Sequence, residues 1–168
     1  AYSGEKLEPE GYTSYDLALD NRDALAGDIY KNAENYYKSV FEHAGGSISF
    51  YPDKNGAAPT AELYHRETRS ISVQDVKEFC KKHGITENVF FISAFGITLG
   101  KYNFKKDAVF TTIYHGRNDS RLSETVGMLV KTLPVFCDFS GTAKDCLSGV
   151  QKQLIDSMNN DIYPFSQI

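Results

Sequence analysis

The spacing of apolar positions divides the first part of the chain into one long helical run and two extended runs. Apolar residues recur three and four positions apart over residues 12–43, which predicts an amphipathic helix. Gly27 lies inside this run and can divide it, because glycine costs about 1 kcal/mol relative to alanine in a helix interior. A short β-like run over residues 47–51 and an alternating run over residues 61–71 predict two strands.

The remainder of the chain alternates between helical and β-branched segments. Ser72 is placed to cap a helix that ends near Gly84, and residues 86–102 predict a very apolar helix, buried on most sides. β-branched and aromatic residues over 107–115 and 132–139 are typical of interior strands, and residues 142–158 have the period of an amphipathic helix. The order αββααββα predicts an α/β fold (an α+β sandwich), with a mixed sheet covered by helices.

The composition argues against nucleic acid, a metal ion and a membrane as partners. The 168 residues suit about one domain, and 18 basic against 22 acidic residues give a net charge of −4 without the basic stripe that nucleic acid requires. Three widely spaced cysteines predict reduced, buried thiols, and the four histidines lack metal-ligand spacing, so no metal site is expected. No leader pattern opens the sequence and the longest apolar run, residues 89–99, is too short for a bilayer. We therefore expect a soluble, cytoplasmic protein without membrane contact.

Residues 126–134, Val-Gly-Met-Leu-Val-Lys-Thr-Leu-Pro, are the most informative segment. Gly127 interrupts the apolar residues, which suggests a backbone that another part of the protein approaches closely. Lys131 and Thr132 form one polar pair in a stretch that otherwise has the composition of a strand. The segment therefore combines strand-like residues with one polar pair, of which Thr132 is more simply a strand residue.

This segment resembles the fifth core motif of condensation domains in nonribosomal peptide synthetases. That motif is Gly-x-Phe-Val-Asn-Thr-Leu-Pro and follows a strand that ends in Gly-Arg, as residues 115–117 do here. Leu129 stands where the family usually has Phe, and Lys131 where it usually has Asn.

Two more segments resemble the same family. Residues 9–16, Pro-Glu-Gly-Tyr-Thr-Ser-Tyr-Asp, are similar to the fourth motif, in which paired tyrosines enter a helix, although the Asp between them and the closing Trp are absent. Residues 163–165, Tyr-Pro-Phe, match the core of the sixth motif, whose flanking residues differ here. With three motifs in the family's order, the resemblance extends over nearly the whole chain.

The resemblance implies a chloramphenicol-acetyltransferase-like fold of two lobes with a tunnel between them. A His-His-x-x-x-Asp-Gly motif in the N-terminal lobe promotes attack of an acceptor amine on a donor thioester. Residues 1–168 would be the C-terminal lobe, truncated at both ends and without the catalytic N-terminal subdomain. The expected partners are that lobe, peptidyl or acyl carrier proteins and an adjacent adenylation domain. No cofactor is expected to bind directly, because carrier proteins deliver the phosphopantetheine arm.

The resemblance also implies which residues border the tunnel. We expect no catalytic residue in this lobe, and the candidates for the tunnel and its floor loop are Arg117, Val126, Gly127, Met128, Lys131 and Thr132. Arg117 could pair with a carboxylate, the interpretation we favour, or line the tunnel. Lys131 could contact pantetheine or a substrate carboxylate, or extend its charged end into solvent.

His115 and Asp119 have the His-x-x-x-Asp spacing of acyltransferase catalytic motifs. Ser120 replaces the glycine that follows in those motifs, and no histidine precedes His115. A histidine at the end of a strand is the simpler interpretation, because short motif matches arise often by chance.

Other functions remain open at this stage. Epimerisation domains, heterocyclisation domains and standalone acyltransferases share the fold that the resemblance implies. A noncatalytic lobe could instead serve as a docking surface for a carrier protein. An unrelated α/β binding module would bury residues 126–134 in a single sheet, where they would line no cleft.

Overall fold

The computed structural model describes residue 4, residues 9–42 and residues 67–168. The helices are α1 Ser14–Ala24, α2 Asp28–Phe41, α3 Val73–His83, α4 Glu87–Tyr102 and α5 Ala143–Asn159. The strands are β1 Asp107–Tyr114 and β2 Lys131–Asp138. Two short 3₁₀ turns comprise Ser120–Leu122 and Phe165–Gln167. This mixture of helices with a small sheet confirms the predicted α/β class.

The two strands pair with each other in a two-stranded sheet within the described part of the chain. Past one end of the pair, the Phe139 N–H donates to the Lys106 carbonyl over 2.9 Å, and past the other end Gly116 lies against Leu129. The beginning of β1 therefore meets the end of β2, and the strands run antiparallel. Both strands agree with the predicted bounds to within one residue.

The chain forms two compact units, which are described separately. Among the described residues, the first contains residues 9–42, Phe110–Val135 and Lys152–Ile168, and the second contains residues 67–109 and Phe136–Gln151.

In the first unit, tyrosine hydroxyls join α2 to the end of α5. Tyr36 donates to the Gln153 carbonyl over 3.0 Å and lies 3.1 Å from Ser157 Oγ, while Tyr37 donates to the Ser157 carbonyl over 3.2 Å. Tyr37 and Ser157 are fully buried, and burial raises the pKa of Tyr37 to about 12. The buried hydroxyls thus have partners, as a stable core requires.

In the second unit, α4 contacts α3, and one face of α4 with small and branched side chains is buried. Ser93, Gly96 and Gly100 lie on this face with larger apolar residues. The apolar core of the unit consists of Cys80, Val89, Ile92, Leu99, Ala108, Cys137, Cys146, Leu147 and Val150. The prediction that α4 is buried on most sides was too broad, because Phe91 is 48% exposed on its opposite face.

Side chains near the helix ends explain where the helices begin and stop. Thr13 and Asp16 form a capping box, in which the Thr13 N–H and hydroxyl donate to the Asp16 carboxylate and lower its pKa. Ser72 caps α3, as the sequence predicted, by accepting the Asp75 N–H, and Thr86 caps α4 by accepting the Val89 N–H. Gly84 ends α3 with a φ of +65°, in the left-handed region that glycine enters without strain.

In the first part of the chain, the predicted helix is divided and the end of one predicted strand is absent. Gly27 divides the predicted helix over residues 12–43 into α1 and α2, with Gly27 as the N-cap of α2. Residues 67–71 have no strand structure, so the end of the predicted strand over residues 61–71 is wrong. The rest of that strand and the strand predicted over residues 47–51 lie outside the described residues.

Two glycines in the interiors of helices provide a matched test of this packing. A Cβ at Gly100 would lie 2.7 Å from the Asp107 carbonyl oxygen, whereas a Cβ at Gly149 in α5 would meet nothing within 4 Å. We expect Gly100→Ala to lower the free energy of unfolding by about 1–3 kcal/mol, because backbone must move. Gly149→Ala should raise it by about 0.5–1 kcal/mol through helix propensity. Urea denaturation measures both, and equal effects would contradict the packing described for α4.

Candidate functional site

The loop between β1 and β2, residues 115–130, is closed at its base by a contact that only glycine permits. Gly116 has a φ of +71°, and a Cβ on it would lie 1.8 Å from the Leu129 carbonyl oxygen. Leu129 is itself 7% exposed, so its side chain anchors the returning end of the loop. The sequence analysis noted Gly116 only as part of a strand end and missed this role.

Arg117 holds the loop together from inside. Its guanidinium Nη1 donates to the carbonyls of Leu122 and Thr125, the latter over 3.0 Å. These partners belong to the same loop, whereas the sequence analysis favoured a carboxylate partner. Because buried carbonyls require donors, this cation stabilises the backbone of the loop.

The segment similar to the fourth motif is attached directly to this loop. Thr125 is 3% exposed and its hydroxyl donates to the Tyr12 carbonyl over 2.6 Å. The Val126 N–H donates to Glu10 Oε1 over 2.9 Å. A Cβ on Gly127 would lie 3.2 Å from the Cβ of Ser14, so the predicted close approach is present, and the start of α1 makes it.

An exposed polar network reinforces this attachment. The Arg121 guanidinium lies 4.4 Å from the centre of the Tyr12 ring and forms ion pairs with Asp119 at 2.6 Å and Asp20 at 3.1 Å. Tyr12 donates to Asp20 over 2.7 Å, and this hydrogen bond is the main cause of its raised pKa. The hydrogen bond from Arg121 lowers the pKa of Asp119. Sequence reasoning missed Arg121, Asp20 and Thr125, because nothing in their spacing connects them.

Lys131, at the start of β2, forms an ion pair with Asp161. Its Nζ lies 2.9 Å from Asp161 Oδ1 and donates to the Asp161 carbonyl over 3.1 Å. The side chains are 32% and 22% exposed. A substrate carboxylate would have to compete with Asp161 for this cation, and the amine does not extend alone into solvent. The pair joins the motif around Lys131 to the segment before Tyr163.

His115 and Asp119 have separate local partners. The Nδ1 atom of the exposed His115 accepts the Arg117 N–H over 3.0 Å, and Asp119 Oδ1 accepts the Arg121 N–H over 2.9 Å. With Nδ1 occupied by the backbone, the structure shows none of the His–Asp pairing that orients a general base in a catalytic dyad.

Three apolar side chains near the end of the loop are exposed to solvent. Val126 is 75% exposed, Met128 91% and Val130 52%, while Thr132 is half-buried. Residues 126–130 do not form a strand, because β2 begins only at Lys131. This exposure also contradicts the third hypothesis, a binding module that buries the segment in a single sheet.

Two cavities adjoin this part of the first unit, with volumes of about 390 Å³ and 370 Å³. Lys131 and Asp161 line both of them. The larger is also bordered by Thr132 and Phe165, and the smaller by Met128. Residues of each of the three motif-like segments therefore line one or both of these cavities, and the Lys131–Asp161 ion pair lines both.

Over residues 9–42 and 67–168, no group of three or more His, Cys, Asp or Glu side chains is placed to hold a metal ion. None of the helices described is both long enough and apolar enough to cross a membrane.

The family model of the condensation domain matches residues 1–168. The chain belongs to the condensation domain family. It is 30% identical over 172 residues to a nonribosomal peptide synthetase, sidC, of Arthroderma benhamiae, and 29% identical over 177 residues to surfactin synthase subunit 1 of Bacillus subtilis. The matches cover 100% and 98% of this chain but only 3% and 5% of those proteins.

Solved structures show that this condensation domain chain has the expected chloramphenicol-acetyltransferase-like fold. The first condensation domain of the calcium-dependent antibiotic synthetase has a TM-score of 0.71 at 12% identity, and the SgcC5 protein of Streptomyces globisporus has 0.74 at 20% identity. The matches cover 99% and 97% of this chain and 38% of each solved chain. The condensation domain chain thus spans well under half of each solved neighbour.

Arg117 offers a test of how the loop is held. Arg117→Gln cannot span both carbonyls, so we expect the free energy of unfolding to fall by about 1–3 kcal/mol. We also expect faster amide hydrogen exchange over residues 118–126. Arg22→Gln is the matched control, because the exposed pair of Arg22 with Asp23 should contribute no more than about 1 kcal/mol. Unchanged exchange in Arg117→Gln would show that the loop does not depend on this guanidinium.

Proposed function

We propose that this chain is the C-terminal lobe of a peptide synthetase condensation domain and supports amide-bond formation between carrier-bound aminoacyl or peptidyl groups. The observation that carries the proposal is the fixed loop with exposed Val126, Met128 and Val130 beside two cavities. Apolar side chains that a rigid backbone holds in water are typical of a surface that another body covers. Here that body is the N-terminal lobe.

The proposed reaction assigns the proton transfer to the N-terminal lobe. The amine of the acceptor attacks the carbonyl carbon of the donor thioester, a C–N bond forms, and the C–S bond breaks to release the carrier's thiol. The family's catalytic pair of adjacent histidines is absent from this sequence, whose four histidines are all separate. The residues around Met128 and Lys131 would border the tunnel, where they position the acyl chains and exclude water. Alone, the chain should produce no dipeptidyl thioester.

The phosphopantetheine arms would arrive on carrier proteins and bind only transiently. The cavities beside Thr132 and Met128 have the polar and apolar walls that such an arm and its acyl group require. Lys131 is already neutralised by Asp161, so the arm would be bound by hydrogen bonds and apolar contact rather than by this charge. An adenylation domain in the same synthetase would supply the aminoacyl groups.

The same lobe could belong to an epimerisation or heterocyclisation domain or to a standalone acyltransferase, since the decisive catalytic motif lies in the other lobe. A noncatalytic docking role is the second candidate, and one feature favours it. Phe104 is 98% exposed and has a φ of +56°, at the end of α4. Its N–H and that of Lys105 donate back to the carbonyls of Lys101 and Gly100, which is the usual geometry of a glycine-ended helix.

Phe104 therefore has a backbone conformation in which glycine would be less strained, and its apolar ring is exposed to water. Lys101, Lys105 and Lys106 lie within three positions of it along the chain, all exposed, and none of them forms an ion pair within the described ranges. An aromatic ring among three cations suits a partner with an acidic, partly apolar surface, which a carrier protein would have to provide. An X-domain from teicoplanin biosynthesis has a fold similar to that of this chain, with a TM-score of 0.74. That X-domain forms a complex with OxyB.

Met128→Glu tests the catalytic proposal in the intact synthetase. Covering this side chain with the second lobe would bury a carboxylate, so we expect the rate of dipeptidyl thioester formation to fall at least about tenfold. Mass spectrometry of the loaded carrier proteins measures the product. Val73→Glu, at an exposed apolar position on α3, adds the same charge and should leave the rate unchanged. Equal rates for Met128→Glu and the unmodified synthetase would contradict the proposed interface.

Phe104→Gly separates docking from stability. Glycine relieves the left-handed conformation, so we expect the free energy of unfolding to rise by about 1 kcal/mol. Affinity for an aminoacylated carrier protein, measured by calorimetry, should fall at least about fivefold. Lys105→Glu with Lys106→Glu should also weaken binding, whereas Lys81→Glu with Lys82→Glu on α3 should not. Unchanged affinity in Phe104→Gly would remove the docking role from this turn.

A further inference from the structure

Two of the three cysteines face each other in the core of the second unit. Cys137 lies near the end of β2 and Cys146 in the first turn of α5, and their sulfur atoms are 3.4 Å apart. Cys137 is fully buried and Cys146 is 2% exposed. Cys80, on α3, is buried as well but forms no sulfur–sulfur contact within the described residues. Neither facing thiol has a role in the function proposed above.

We propose that Cys137 and Cys146 are an oxidisable dithiol, which hydrogen peroxide converts into an intramolecular disulfide between the end of β2 and the start of α5. The sulfurs must move closer by only about 1.4 Å, because a disulfide bond is close to 2.05 Å long. The cysteines are nine positions apart, and residues 143–145 of α5 beside them are exposed. Rotation of the thiols with a small displacement of this first turn therefore suffices.

The environment makes the two thiols unequal. The hydrogen bond between the sulfurs raises the pKa of Cys137, as does burial, while the same hydrogen bond lowers the pKa of Cys146. Cys146 is the fourth residue of α5, where the positive end of the helix dipole also favours a thiolate. Cys146 is thus the thiol that reacts first.

The chemistry balances with peroxide as the oxidant. The Cys146 thiolate attacks one peroxide oxygen, an S–O bond forms, the O–O bond breaks, and the hydroxide that leaves takes up a proton to become water. The Cys137 sulfur then attacks the sulfenic sulfur of Cys146, the S–S bond forms, and the second hydroxide leaves as water. Two thiols lose two electrons and two protons, and one peroxide becomes two waters. A thiol reductant reverses the modification.

Burial controls the rate of this reaction. Peroxide reaches the sulfurs only when the first turn of α5 opens, so oxidation is slow compared with that of an exposed thiol. The product closes a covalent loop between β2 and α5 and restricts the unfolded chain. The oxidised form should therefore resist thermal unfolding better than the reduced form.

Peptide mapping of the full chain tests the proposal directly. The reduced protein is treated with hydrogen peroxide in native buffer, alkylated, and digested with trypsin without reduction. Cys137, Cys146 and Cys80 fall in separate peptides, residues 132–144, 145–152 and 78–81. We expect the first two peptides to be linked, with the loss of two hydrogen atoms, and dithiothreitol to separate them. The midpoint of thermal unfolding should rise by a few degrees, on the order of 4 °C.

The controls use the third cysteine and the unfolded chain. Cys80→Ser should retain the cross-link, and Cys137→Ser and Cys146→Ser should each lose it. If these two variants do not fold, the map of the unsubstituted chain still decides. Linked peptides that appear only in urea, sulfenic or higher acids without a link, or links that include Cys80 in the folded chain would each overturn the proposal.

Discussion

Closure of the loop between β1 and β2 is the constraint on which the rest of the site depends. Gly116 lies against Leu129 so closely that no side chain fits, and Arg117 supplies hydrogen bonds to two carbonyls inside the loop. A loop without regular structure can hold apolar side chains in solvent only when its own backbone is satisfied. Arg117 meets this condition for two of the carbonyls and Glu10 for the Val126 N–H, so the exposed Met128 follows a segment that is held in place.

The helix that begins at Ser14 depends on this loop as well. None of the residues of α1 is buried, so the hydrophobic effect contributes little to its position. Instead the Thr125 hydroxyl binds the Tyr12 carbonyl before the helix, and Arg121 binds Asp20 within it. Exposed ion pairs contribute little to the free energy of unfolding because water screens them, so this network orients α1 more than it stabilises the fold. The segments similar to the fourth and fifth motifs are thereby coupled through polar contacts, in addition to the close approach of Gly127 to Ser14.

Local signals explain which parts of this structure could be predicted. The caps at Ser72 and Thr86 and the stop at Gly84 lie within four residues of the ends they determine, so α3 and the start of α4 followed from the sequence. The site did not follow in the same way. Thr125 and Tyr12 are 113 positions apart and Lys131 and Asp161 are 30 apart, and periodicity contains no information at that range. Residues 126–130 have the apolar composition of a buried strand, yet Val126, Met128 and Val130 are exposed in a loop, and composition alone does not distinguish the two cases.

The Lys131–Asp161 pair shows how a departure from the family pattern can be accommodated without loss of the fold. The family usually has a neutral asparagine where this chain has Lys131, and a lone cation beside a cavity would be costly to desolvate. Asp161 removes that cost with two contacts, one through its carboxylate and one through its carbonyl. Both cavities share this wall, so neither of them is lined by an unpaired Lys131. A cation can therefore replace the family's asparagine at this position because a nearby carboxylate neutralises it.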